Sequence, residues 1–228
     1  MPQFILAFPL NVAKEEPFKV TEFVTIAPDA SSVLIPGCGV QFKEVRQPAT
    51  PELSGLFAEG GELSAEESAA LDAHKSLLFL LGEVKSIEDV TQVDMAILKM
   101  FTAGALGVYM QQSGTAWTPA KFREVLGDAE FPMDAWINFV EGENVVYTLG
   151  MATFALPDLC AAKTVENAES ALLMAADALF GDGIPAKSGS EIDLGDGEVF
   201  TLRAEAKNPF PKDAPEYNKQ GVMRIVKA

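Results

Sequence analysis

Residues 75–111 constrain the fold of this chain more than any other stretch. Lys75 to Val84 is an almost unbroken apolar run of strand length. Ser86 followed by Asp89 then marks a helix start, and Val90, Val93, Ile97 and Phe101 recur at helical spacing as one apolar stripe that ends near Gly104. Leu106 to Gln111 returns to strand. A strand, a helix and a second strand in that order predict a βαβ element, with the two strands parallel if they share a sheet.

The flanking segments add mostly antiparallel signals. Phe4 to Leu10 reads as a buried strand and Val20 to Ile26 as a second; Val33 to Ile35 and Val40 to Val45 flank a Pro-Gly-Cys-Gly turn. Gln47 to Leu63, rich in Pro and Gly, predicts a long connection and marks the weak internal boundary near 47–63 of an otherwise single domain spanning 1–228. Ser64 with Glu67 is a capping box that opens a short helix from Ala65 to about Ala73. Thr118 before Pro119 opens another, through Phe122 to Gly127. Trp136 to Val140 and Val145 to Phe154 predict a hairpin across Glu141-Gly142-Glu143-Asn144, with Gly150 inside the second arm and Cys160 in the loop beyond Pro157 and Asp158. Thr164 is expected to cap a helix running to Phe180, and Asp196-Gly197 to turn a hairpin. Val199 to Ala204 and Val222 to Val226 close the chain as strands, separated by a proline-rich stretch without periodicity. The expected class is α+β (mixed α/β): a mostly antiparallel sheet with a βαβ element and helices packed on it.

Charge narrows the function. The 228 residues hold 17 basic and 33 acidic side chains, a formal net charge of -16, which repels phosphate backbones and anionic lipid surfaces. Neither nucleic-acid binding nor membrane binding is expected, and a protein partner, if there is one, is basic. Solubility alone also accounts for the charge. Two cysteines are too few for a disulfide framework, and MPQFILAFPLNVAKEE reads as a first strand, not a signal peptide, so the expected compartment is the cytoplasm.

From His74 to Ala204 the landmarks HKSLLFLLGE, GALGVYMQQSG, AKFREV, the hairpin at Trp136 and above all YTLGMATFALPDL stand in one order. In that order the chain resembles a bacterial family known as the domain of unknown function numbered 4261, over roughly residues 74–204. The resemblance implies a fold and no chemistry. Family members carry G-L-x-x-F-G-x-P-E-L where this chain has Ala155 for the second glycine and Asp158 for the glutamate. Alanine there implies either a position that is not left-handed or a different local backbone.

Candidate chemistry is sparse. Cys38, between two glycines where backbone N–H groups could approach a bound anion, is the strongest enzymatic candidate, with His74 as its base; a small buried side chain in a tight turn between strands is the commoner reading of such a residue. His74 is the only histidine and also fits a helix C-terminus; a lone histidine excludes multi-histidine metal sites. No nucleophile elbow, phosphate loop or calcium loop occurs, so no cofactor and no metal is expected. Asp94 lies close to the apolar stripe of its helix, where an acid usually sits solvated at the edge. Phe210 and Tyr217 in the proline-rich stretch are candidate binding residues, because loops carry function disproportionately. Together these readings predict a non-enzymatic cytoplasmic protein-binding or regulatory protein, of the immunity or accessory-factor kind, with an acidic surface for a basic partner. The alternative is a thiol-dependent hydrolase using Cys38 and His74.

Overall fold

A computed structural model describes residues 4–28, 30–195, 197–214 and 216–228. The architecture is α+β with mostly antiparallel sheets, as the sequence predicts. Contacts divide the chain into two compact units, Met1–Gln111 with Thr115–Asp128, and Gln112–Gly114 with Ala129–Ala228. The stretch 47–63 lies inside the first unit, because the strand entering it pairs along the apolar strand that follows it.

The first unit contains β1 (Phe4–Leu10), β2 (Phe18–Lys19), β3 (Thr25–Ile26), β4 (Val33–Leu34), β5 (Gln41–Pro48), α1 (Leu53–Ala58), α2 (Ala65–Asp72), β6 (Ser76–Gly82), α3 (Ile87–Thr102), β7 (Val108–Met110), β8 (Thr115–Trp117) and α4 (Pro119–Asp128). Its main sheet has the order β4-β5-β6-β1-β7-β8. Both β6 and β7 run antiparallel to β1, which lies between them, so they are parallel to each other. The predicted βαβ element is therefore present in split form, with β1 inserted. Alternation along β1 puts Phe4, Leu6, Phe8 and Leu10, all at most 1% exposed, on one face. On the other face Leu77 joins Leu53, Phe57 and Leu71 of α1 and α2 in a buried cluster. Burying each such side chain contributes about 1.5–3 kcal/mol.

Local start signals hold in this unit. Ser64 and Glu67 form both halves of the capping box, Ser86 Oγ accepts from Asp89 N–H, and Thr118 Oγ1 accepts from Lys121 N–H. Two expectations do not hold. Val20 to Ile26 is not a strand: Thr21 Oγ1 accepts from the N–H groups of Phe23 and Val24, and that side-chain turn leaves only two-residue arms at β2 and β3. The 47–63 connection carries α1.

The second unit holds β9 (Asn138–Glu141), β10 (Val145–Leu149), β11 (Asp158–Ala162), α5 (Ala168–Phe180), β12 (Glu191–Asp193), β13 (Val199–Ala204) and β14 (Val222–Lys227). The sheet order is β12-β13-β14-β11-β10-β9. The predicted hairpin is β9–β10, although Trp136 belongs to a 3₁₀ turn before it and the second arm stops at Leu149. Gly150, at φ 112, turns the backbone out of the strand into a 3₁₀ turn over Met151–Phe154. Cys160 is not in a loop. It sits in β11, which pairs antiparallel with β10 and parallel with β14. Thr164 does not cap α5; the helix starts after Asn167, which is left-handed and makes no side-chain cap. The β12–β13 hairpin forms, while Asp196 of its expected turn lies outside the described residues.

Candidate functional site

The hydrolase reading needs an activated thiol and a free imidazole. Cys38 is buried, its Sγ donates to Val40 O at 3.9 Å, and burial pushes the thiol pKa up, the wrong direction for a nucleophile. Asp89 raises it further and Lys99 lowers it; His74 is not among the groups that act on it. The turn carrying Cys38 is fastened to α3, where Gly39 N–H donates to Gln92 Oε1 at 2.6 Å and Lys99 Nζ donates to Pro36 O. His74 is buried with both ring nitrogens engaged by backbone: Nδ1 with Leu71 O at 2.6 Å, and Nε2 accepting from Thr50 N–H at 3.1 Å. That pattern is a helix C-terminal tie closing α2 onto the chain before α1, and it leaves no lone pair for a thiol proton. A cleft of about 820 Å³ beside this region is lined by Ser31, Ser32, Gln41, Lys43, Lys85 and Asp89, and Cys38 does not line it.

Asp94 is buried at 4% exposure within α3, not solvated at the stripe's edge. Phe210 is half-buried and meets Tyr147 of β10 edge-on, ring centroids 6.4 Å apart, so it pins the proline-rich arm to the sheet. Tyr217 is half-buried in the same arm, whose anchor is the next residue: buried Asn218 donates from Nδ2 to Leu156 O at 2.9 Å and accepts at its own O from Asn208 Nδ2.

The landmark stretch holds a buried acid that sequence reasoning passed over. Asp158, 4% exposed, opens β11 and accepts at Oδ1 from Met151 N–H at 3.2 Å. Burial pushes its pKa up to about 7, against the lowering effect of bonds from Asn218 and Met151. Ala155 is left-handed, at φ 56 and ψ 30. The expectation that an alanine here marks a position that is not left-handed therefore fails.

Three further carboxylates gather in the second unit. Asp177 lies in the last turn of α5, Asp182 follows the helix, and Asp134 opens the 3₁₀ turn before β9. Burial raises the pKa of Asp177, and repulsion from Asp182 and Asp134 raises it further. Asp134 Oδ2 accepts from the N–H groups of Glu130 and Phe131, while Oδ1 is buried and has no hydrogen-bond partner among the described residues; desolvation raises this carboxyl as well. A helix C-terminus already carries partial negative charge, and α5 has no basic residue in its last turn. The run DALFGDG, acidic where helix ends favour Lys or Arg, is the signal that sequence reading could have used. Asp134 arrives from 43 residues upstream of Asp177 and carries no such signal.

Among the described residues no group of histidine, cysteine or acidic side chains could hold a metal ion, and no helix is long and apolar enough to cross a membrane. No protein-family model, curated protein or solved structure matches the chain.

Proposed function

We propose that the protein is a non-enzymatic cytoplasmic binding protein that receives a cationic side chain of a basic protein partner at the C-terminal end of α5. The observation that carries this reading is the placement of Asp134, Asp177 and Asp182 where the helix dipole is itself negative, with Asp182 and Asp134 both disfavouring the charged form of Asp177. Net charge alone does not select this site: by sequence each unit is formally -8, with 17 acidic against 9 basic residues in the first and 16 against 8 in the second. Long-range attraction therefore draws a basic partner to both units, and the cluster gives it a place to dock. Both cysteines are free and lie in separate units, which fits a reducing compartment. The thiol-hydrolase reading gains no support from the buried Cys38 and the backbone-tied His74.

The test is calorimetric titration with a Lys/Arg-rich peptide near pH 5.5, in two buffers of different ionisation enthalpy. Docking a cation lowers carboxyl pKa values, so binding should release protons. Affinity should fall as salt rises toward about 0.3 M. Asp177→Asn with Asp182→Asn should weaken binding and remove the proton release; Glu66→Gln with Glu88→Gln, an equal charge change in the first unit, should do neither. Equal weakening by both pairs would mean diffuse attraction and no docking site.

A further inference from the structure

The first unit buries an ion pair that none of the preceding reading uses. In β5 the side chains of Phe42, Glu44 and Arg46 share one face of the strand, because residues two apart in a strand point the same way. Their cross-strand partners on β6 include Leu80 opposite Glu44 and Leu78 opposite Arg46, both at most 1% exposed. Glu44 and Arg46 therefore sit on an apolar sheet face, and both side chains are wholly buried. Arg46 Nε donates to Glu44 Oε1 at 3.3 Å, and Nη1 donates to Glu16 O at 3.4 Å in the segment between β1 and β2. Among the described residues Arg46 Nη2 and Glu44 Oε2 have no hydrogen-bond partner. A buried charged donor and a buried charged acceptor, each left without a hydrogen bond, carry the full desolvation penalty of a charged group. They belong to the two ends of one bonded pair, so a single small molecule that both accepts and donates can satisfy both.

We infer that the Glu44–Arg46 pair binds one internal water molecule, which accepts from Arg46 Nη2 and donates to Glu44 Oε2. Water is the ligand that fits this chemistry: an anion would meet the Glu44 carboxylate, a cation would meet the guanidinium, and internal waters typically make two to four such bonds, of which the pair supplies two. The water completes a network that runs from β5 through Arg46 Nη1 to the backbone of Glu16, and so fastens the segment between β1 and β2 to the sheet.

Oxygen-17 magnetic relaxation dispersion counts long-lived internal waters in solution. The full chain should lose the amplitude of one such water on Glu44→Leu with Arg46→Met, an apolar replacement that leaves no lone charge behind. Amide exchange at Glu15, Glu16 and Phe18 should quicken in the same variant. An unchanged amplitude in a folded variant would overturn the proposal. A high-resolution crystal structure of the unmodified protein decides it independently of whether the variant folds. Density for a water within hydrogen-bond reach of both atoms supports the site; Nη2 and Oε2 bonded to protein groups, or closed on each other, refutes it.

Discussion

Asp158 makes the stability of the second unit depend on pH in a direction opposite to ordinary acid denaturation. Its carboxyl moves from 3.8 to about 7 on folding, because the head of β11 is buried. A carboxyl raised in the folded state contributes stability that is fully present below its unfolded value and is lost as pH rises through the folded one, here from about 4 to about 7. The whole shift corresponds to about 4 kcal/mol, and the part falling between pH 5 and pH 8 to about 2.5 kcal/mol. Burial also raises Asp134 and Asp177, so the isolating perturbation is Asp158→Asn, which leaves their contribution in place. Trp136, 1% exposed in the second unit, reports its unfolding once Trp117→Phe removes the other tryptophan. Urea denaturation followed by Trp136 emission at pH 5 and pH 8 should show the parent losing about 2.5 kcal/mol more than the Asp158→Asn variant over that interval. Equal losses would refute the argument that a buried carboxyl at this position must discharge to fold.

Three more outcomes are expected. Ala155→Gly should raise stability by about 0.5–1 kcal/mol in chemical denaturation, since relief of a left-handed alanine, about 1–2 kcal/mol, exceeds the added freedom of the unfolded chain, about 0.4–1 kcal/mol, and the exposed methyl packs on little. Gly150→Ala should cost roughly 2–5 kcal/mol in the same assay, because φ is 112 and a Cβ there would run into the carbonyl of Trp136. Thiol labelling of the native protein at neutral pH should be slow at both cysteines and complete only on unfolding; Cys160, fully buried and pushed up to about 12, should be the slower.

What could be read in the sequence was what a few neighbouring residues decide. Ser64 with Glu67, Ser86 and Thr118 each place a side-chain oxygen within reach of a backbone N–H three residues on, and all three caps form. The stripe of α3 is equally local. Thr164 looked like a fourth cap, but Lys163 N–H donates to Asn144 O and Val165 N–H to Ala162 O, so those residues complete the end of β11 and the helix waits for Asn167. β11 itself was hidden because Pro157 and Asp158 resemble a stop. The decisive partner is β14, more than 60 residues later, and a parallel pairing leaves no turn between the strands to announce it. The inward face of β5 is also undecided by its own residues. Alternation in Gln41 to Pro48 is consistent with either face inward, and packing chose the one carrying Glu44 and Arg46. Asp94 was expected at the solvated edge of its stripe, where acids usually sit, and burial of that side chain is the kind of exception that sites and networks make.

The placement of β14 between β13 and β11 has a consequence for synthesis on the ribosome. β9, β10 and β11 emerge as a finished antiparallel set whose outer edge is Asp158–Ala162, an apolar strand with its hydrogen-bonding groups facing nothing. Its partner Val222–Lys227 follows some 60 residues behind, roughly 3–12 s at common elongation rates. During that interval the nascent chain carries an open edge of the kind that recruits other strands. The stretch of this protein most exposed to misassembly is therefore one that the finished structure buries from Asp158 to Ala161, and slowed translation between residues 162 and 222 should lower the soluble yield more than the same delay anywhere earlier.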